Sequence, residues 1–310
     1  MEAGFGFSVV IPAYNYGYCL ERAVLSALDQ DDGALEVIVI DDGSTDNTDQ
    51  VMATLAERHG HRLTLLRQHN QGQAAVRNRG VVVSRYPWLI FLDADDELLP
   101  GALIALRHAI RENPPSRLVI GGYQVEEHEV VKRREPGPVT DNPADNLSAF
   151  LNKRLNICNG ACALHRGLFT TVRYEPGLRH TEDIPFFARV LAHYPTTGID
   201  TPLARIHKHP DSLRHDLTAA LRVGMDLEAS IFDHALPPWA AALRRPYRAH
   251  RALSLLKLAH RQHRPDLVRH YFRIALRADF RKALRPRFLR RYVYSFIAAG
   301  DAGAMFRSND

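Results

Sequence analysis

Trp88-Leu89-Ile90-Phe91-Leu92-Asp93-Ala94-Asp95-Asp96 is a run of five apolar residues that ends abruptly in carboxylates. Five apolar residues without alternation suit a strand buried on both faces, as in the middle of a parallel sheet. The same design occurs twice upstream. Phe7 to Ile11 runs into Pro12-Ala13-Tyr14-Asn15, and Leu35 to Ile40 runs into Asp41-Asp42-Gly43-Ser44. Between these runs the apolar period changes to that of a helix. Leu20, Ala23, Val24, Ala27 and Leu28 share one helical face. The short polar side chains from Ser44 to Thr48 can cap a helix bearing Val51, Met52, Leu55 and Ala56. Leu63 to Leu66 predicts a strand, Gln73 to Ser84 a helix, and Leu118 to Tyr123 another strand. Pro100 is placed to open a helix reaching about Arg111. Strands followed by helices at this spacing predict the α/β class, with a doubly wound, mostly parallel sheet flanked by helices.

Further along, Glu126 to Asp145 is charged and contains proline, which predicts a surface excursion. Ile157 to Leu164 and Ile199 to Ile206 are expected strands, with a helix over Glu182 to Tyr194 between them. From Asp216 onward nearly every segment is helix-compatible, and Pro237-Pro238, Pro246, Pro265 and Pro286 are expected to divide the helices.

The composition, 45% hydrophobic and 24% charged over 310 residues, excludes disordered and collagen-like chains. The net charge of +5 conceals two unlike regions. Residues 241–300 hold 16 Lys and Arg against Asp266 and Asp279, a balance of +14 that leaves −9 on the rest. Three cysteines, Cys19, Cys158 and Cys162, give neither a disulfide framework nor a completed zinc site, so a reduced cytoplasmic compartment is expected. Ala3 to Leu20 carries no charge but is interrupted by glycine, proline and asparagine. Neither a signal peptide nor a membrane span is expected from it.

In parallel α/β sheets, ligands bind beyond the carboxyl ends of the strands. The unusual residues of this sequence fall there. Asp41-Asp42 and Asp93-Ala94-Asp95-Asp96 at neighbouring strand ends would repel unless a cation or a donor-rich ligand lay between them. Mg²⁺ or Mn²⁺ suits such a place, because hard ions are commonly held by one or two carboxylates and the phosphates of a substrate. Taken alone, Asp93, Asp95 and Asp96 serve equally well as helix caps, and Asp-Asp-Gly-Ser is also a common turn. A calcium loop lacks its glycine and its twelfth-position glutamate here. Asn70-Gln71-Gly72-Gln73-Ala74-Ala75-Val76-Arg77-Asn78-Arg79-Gly80 is more informative. A glycine turn enters a helix whose small residues permit close packing and whose amides and guanidinium suit an anion or a base edge.

Together these segments resemble the family 2 glycosyltransferases of GT-A fold. The matching residues are Val10 to Asn15, Val39 to Asp46, Asn70 to Gly80 and Phe91 to Leu98. Thr181-Glu182-Asp183 resembles the family's acidic pair, and His209-Pro210-Asp211-Ser212 its His-x-x-Ser. The resemblance covers roughly residues 5–215. It implies a catalytic domain over 1–215, with a nucleotide-sugar half to about 125 and an acceptor half over 126–215, followed by a basic helical region over 216–310. It further implies inverting transfer of a sugar from a nucleoside diphosphate sugar, with a uridine nucleotide favoured, to an acceptor hydroxyl. Pro12, Ala13, Tyr14, Asn15, Asp42, Gln73, Arg77, Asp93 and Ala94 would line the nucleotide-sugar site. Asp95, with Asp93 and His209, would hold Mn²⁺ or Mg²⁺. Asp183 would be the general base and Glu182 would orient the helix or the acceptor. By analogy, the acceptor is a glycan or lipid-linked molecule of bacterial surface polysaccharide or lipopolysaccharide assembly.

Two rival readings differ in class. A sugar nucleotidyltransferase would want a Gly-rich, basic loop straight after the first strand, and Pro12 to Asn15 offers none. A non-catalytic nucleotide-sugar or carbohydrate-binding module would not need Asp42, Asp93, Asp95 and Asp183 together. The arginine-laced helices of 241–300 admit two further readings. One is a packing subdomain. The other is a basic amphipathic face lying on an anionic cytoplasmic leaflet as a peripheral contact. No nucleic-acid module is recognisable.

Overall fold

The computed structural model describes residues 5–30, 33–177, 181–208, 217–233 and 236–305, with side chains for all of these but 217–219 and 298–305. The chain divides into two compact units, residues 1–212 and 213–310.

The first unit begins as a strand–helix alternation: β1 (Phe7–Ala13), α1 (Leu20–Leu28), β2 (Leu35–Asp41), α2 (Thr48–His59), β3 (Leu63–Arg67), α3 (Gln73–Val83) and β4 (Trp88–Phe91). Next come β5 (Glu97–Leu98), α4 (Ala102–Glu112), β6 (Leu118–Glu127), β7 (Val130–Arg134), α5 (Pro143–Leu151), β8 (Cys162–His165), α6 (Asp183–His193) and β9 (Thr196–His207). One sheet holds them in the order β3-β2-β1-β4-β8-β6-β9-β5, with β7 paired to β6.

β1 lies between β2 and β4 and runs parallel to both. Its burial on two faces explains the continuous apolar run. Val9, Ile11, Val37, Val39 and Ile90 join Leu20, Val24, Leu103 and Leu106 on the α1/α4 side. Val10, Ile38, Ile40, Leu89 and Phe91 join Ala74, Val76, Phe186 and Phe187 on the other. The predicted face of α1 is the buried one, residue for residue. Gly80 permits α3 to approach β1, since a Cβ there would come within 2.5 Å of Val10 Cγ1.

Beyond β4 the sheet is mixed, with β8 antiparallel to β4 and β6 and β9 parallel to β6. Four details depart from the sequence reading. The charged excursion after Glu126 contains the strand β7, antiparallel to β6. The strand expected from Ile157 starts only at Cys162, after a 3-10 turn at Asn159–Ala161. Pro100 precedes α4 instead of opening it, because the left-handed Gly101 (φ 78°) intervenes. Ala56, expected on the apolar face of α2, is exposed, while Met52 and Leu55 are buried.

The second unit is helical: α7 (Leu217–Val223), α8 (Asp226–Phe232), α9 (Ala241–Arg261), α10 (Pro265–Ala278), α11 (Phe280–Ala283) and α12 (Pro286–Met305). Its core gathers Leu253, Leu256, Val268, Tyr271, Phe272, Ala275 and Phe288. Pro265 and Pro286 start helices, where a missing N–H costs little. Pro246 does not divide helices as expected but lies inside α9. Several arginines are tied down within the unit. Buried Glu228 accepts from Arg244 Nε at 2.8 Å and Arg248 Nη1 at 3.0 Å, and Arg251 donates to the carbonyls of Gly224 and Ala220. Among the described residues no helix is long and apolar enough to cross a membrane.

Candidate active site

The ends of β1 and β2 are laced together by short polar side chains. Asn15, in left-handed conformation (φ 58°), accepts from Thr45 N through Oδ1 at 2.8 Å and donates its own N–H to Ser44 Oγ at 2.9 Å. Asp46 accepts from Gly17 N at 3.0 Å and caps Thr48 N. Pro12 and Ala13 are buried within β1, whereas Tyr14 just beyond is 46% exposed. Asp42 is buried. Its Oδ1 accepts from Gln68 Nε2 at 2.8 Å and Gln71 N at 2.9 Å, and its Oδ2 from Gly72 N at 2.7 Å. This carboxylate therefore moulds the turn into α3, where Gly72 takes a φ of 86° that other residues rarely adopt.

These contacts revise the expectation of mutual repulsion. The acidic clusters end β2 and β4, which are separated by β1. Much of their charge already meets protein cations. Arg67 Nε lies 3.1 Å from Asp41 Oδ2, and Arg77 Nη2 lies 3.1 Å from Asp93 Oδ1.

Arg77 organises the rest. It is 2% exposed although it carries a charge, and Nη1 donates to Glu182 Oε1 at 2.8 Å while Nη2 serves Asp93. Gln73 Oε1 lies one turn earlier at 3.5 Å from Nη2. Its guanidinium carbon sits 5.3 Å from the centre of the Tyr174 ring, which stacks on Phe186 at 3.9 Å. Burial works against its charge, but Asp93, Tyr174, Glu182 and Asp183 hold it more firmly protonated than a free guanidinium. One α3 side chain thus joins the turn after β4 to the acidic pair at the start of α6.

Asp183 is the first residue of α6, and Glu182 precedes it. Burial, followed by the charge of Glu182, pushes the Asp183 carboxyl up to about 6, with Arg77 opposing the rise. A carboxylate with that value can accept a proton near neutrality and release it again.

On the other side of the β4 turn, Ala94 is buried and Asp95 is partly exposed. The Asp95 carbonyl accepts from Arg22 Nη2. Asp96 is buried, and its Oδ1 accepts from His207 N at 3.1 Å, tying the turn to the end of β9. The Tyr16 phenol is held protonated by burial and then by Asp95, Tyr18 and Asp93, so these groups share one neighbourhood. The Cys19 thiol beside them is pushed to about 11, by burial first and Asp95 second, which removes it as a nucleophile. His209 lies outside the described residues. Among the described residues, no three carboxylate, imidazole or thiol groups gather where they could hold an ion. The chemistry of the turn still suits a divalent ion bound by the Asp95 carboxylate, with Asp93 beside it, and by substrate phosphates.

Sequence reasoning named Arg77, Glu182 and Asp93 separately and missed that they form one cluster, since Arg77 and Glu182 are 105 positions apart. It also missed Tyr174 and Asn78, whose Nδ2 donates to the Tyr174 carbonyl at 2.8 Å while Oδ1 accepts from Tyr174 N at 3.2 Å. Asn78 stood inside the informative 70–80 segment. Tyr174 stood in no motif.

A family model described as glycosyl transferase family 2 matches residues 8–172. A PGL/p-HBAD biosynthesis glycosyltransferase of Mycobacterium tuberculosis is 36% identical over 167 residues, covering 54% of this chain and 61% of that protein. The succinoglycan biosynthesis protein ExoU of Rhizobium meliloti is 44% identical over 198 residues, covering 60% of this chain and 56% of that one. The chain thus spans about three fifths of the length of these relatives. Among solved structures, S. aureus TarS 1-349 in complex with UDP-GlcNAc is similar with a TM-score of 0.61 and 17% identity, covering 94% of this chain and 79% of that one. The mannosyltransferase PcManGT of Pyrobaculum calidifontis, in complex with GDP-Man and Mn²⁺, gives 0.57 at 16% identity, covering 98% and 88%. At such identities the likeness is one of fold, a GT-A-type α/β architecture. The match over 8–172 takes in β1 to β8 with the Asp42, Arg77 and Asp93–Asp96 positions, more than half of the residues, and the chain belongs to glycosyl transferase family 2.

Proposed function

We propose that the protein transfers a sugar, with inversion, from a nucleoside diphosphate sugar to an acceptor hydroxyl of a surface glycan or its lipid-linked precursor. The observation that carries this reading is the buried Arg77, which joins Asp93 after β4 to Glu182 beside Asp183. A donor-holding turn and a proton-accepting carboxylate are thereby fixed in one frame.

In this account Tyr14, Asn15 and the Asp42 loop receive the base and ribose. Asp42 Oδ2 keeps one lone-pair direction beyond the Gly72 N–H for a base donor. A uridine base is the first choice, and the UDP-GlcNAc complex of TarS lends it support. Asp95, with Asp93 and His209, would hold Mn²⁺ or Mg²⁺ against the diphosphate. When bound, the ion would neutralise charge on the departing nucleotide. Asp183 takes the proton of the acceptor hydroxyl as the new C–O bond forms on the face opposite the leaving group. Glu182, paired with Arg77, keeps the start of α6 in place and its charge helps to raise Asp183. The relatives, a PGL/p-HBAD biosynthesis glycosyltransferase and a succinoglycan biosynthesis protein, support an acceptor from bacterial envelope or exopolysaccharide synthesis; lipopolysaccharide belongs to the same class.

A thermal-shift panel of nucleoside diphosphate sugars with and without Mn²⁺ tests the reading. The account expects one donor to raise the unfolding temperature in a metal-dependent way and to be hydrolysed slowly. A metal-dependent shift with no hydrolysis or transfer to any acceptor would favour a binding module, and no shift with any donor would overturn the proposal.

A further inference from the structure

The arginines of the second unit differ in how they are held. Four of the five in α9 are anchored: Arg244 and Arg248 to Glu228, Arg245 to the Ala278 carbonyl, Arg251 to the carbonyls of residues 220 and 224. Those after Asp279 accompany a different kind of surface. Between Phe280 and Ile297 the sequence carries six basic side chains and no acidic one.

The packing of α12 explains what this segment presents. Phe288 and Ser295 are buried, and the Tyr292 ring stacks on Phe272 at 4.0 Å, so one stripe of α12 faces the core of the unit. Leu289, Val293, Phe296 and Ile297 stand at i, i+4, i+7 and i+8 and form a second apolar stripe. All four are exposed, and Val293, Phe296 and Ile297 are exposed by half or more. Phe280 in α11 and Leu284 just after it are exposed as well. Arg290 stands at i, i+3 from Val293 and i, i+7 from Ile297 and so borders this stripe, while the Arg287 guanidinium carbon lies 4.7 Å from the ring centre of buried Phe288. An apolar stripe of this extent, in a stretch whose charged residues from Phe280 to Ile297 are all basic, is not what a solvated face requires.

We infer that the outer face of α12 is a docking surface for an anionic bilayer, lying in the headgroup plane with Leu289, Val293, Phe296 and Ile297 inserted and neighbouring arginines on lipid phosphates. Charge complementarity selects this occupant. Two copies packed through the face would bring together two stretches whose charged residues are all basic, a like-charge contact that associating surfaces avoid. The inference is independent of which sugar is transferred, and it narrows the membrane-facing region from residues 241–300 to one helix face.

The test is flotation of the full chain with phosphatidylcholine vesicles, with and without phosphatidylglycerol. The chain should float only with the anionic vesicles, and less as salt is raised. The triple substitution Leu289→Glu, Val293→Glu, Ile297→Glu should lower the partition about tenfold or more. The pair Arg287→Gln, Arg290→Gln should lower it and flatten its salt dependence. Unchanged unfolding temperatures and donor hydrolysis establish that the variants are folded; if the triple variant unfolds, the arginine pair alone decides. Equal binding to neutral vesicles, or binding unchanged in the folded variants, overturns the inference. So does light scattering that shows the triple substitution splitting a dimer while flotation stays the same, which would assign the face to a second copy.

Discussion

Arg77 keeps a full charge in a setting with almost no water, and its three strongest partners are anionic or aromatic. Breaking a buried ion pair from one side leaves the other charge stranded, at a cost of about 3–5 kcal/mol. Arg77→Met should therefore lower stability by that order in urea denaturation, with Glu182 as the stranded group. Asp183 makes a second prediction. Because general-base action needs the ionised carboxylate, kcat should rise with pH through about 6 and then level off. Stability moves the other way. The folded-state value of about 6 lies above the ordinary 3.8, so the folded form binds this proton more tightly than the unfolded one. The stabilising contribution of protonated Asp183 is full below about 4 and is lost as pH rises toward about 6. Asp183→Asn should remove that part of the pH dependence in thermal unfolding.

Elements of the first unit are joined at two places whose tolerance is narrow. The first is α3 on β1, where a methyl group at position 80 would collide with Val10, a stiff side chain in a fully buried strand. Gly80→Ala should cost about 1–3 kcal/mol by overpacking, measured as a fall in the denaturation midpoint. The second is Glu36 in β2. It accepts from Ser8 Oγ at 2.6 Å and Arg85 Nε at 2.8 Å, and these bonds, with Arg85 N–H, outweigh the burial that opposes its charge and lower its pKa. That stabilisation is present above the ordinary value of 4.5 and is lost as pH falls through the depressed one. Glu36→Gln should make the acid limb of the stability curve shallower. Such elements were legible in sequence when their burial was two-sided or strictly periodic, as in β1, β2, β4 and α1. β5 was not legible, because two residues carry no period and pair only through β9. Nor was β7, whose five residues are all exposed and show no apolar alternation. Pro246 was misread because it falls in the early turns of α9, whose buried residues from Ala252 to Ala259 lie further along the helix. The Arg77–Glu182 pair escaped because nothing local links α3 to α6.

For the chain as a whole, the charge split of +14 and −9 maps onto different tasks. Part of the acidic excess lies in the carboxylates of Asp42, Asp93 and Glu182, which are already answered by N–H groups and Arg77. The basic excess includes arginines that knit α8 to α9 and the six basic residues of the 280–297 stretch that carries the open stripe of α12. On the proposed function, Asp183 accepts the acceptor's proton inside a frame set by Arg77. The most direct test compares nucleotide affinity and turnover for Asp183→Asn, once a donor and acceptor have been identified. The account predicts calorimetric affinity for the nucleoside diphosphate within about twofold of the parent and kcat lower by about a factor of a thousand. Turnover near the parent value would contradict it.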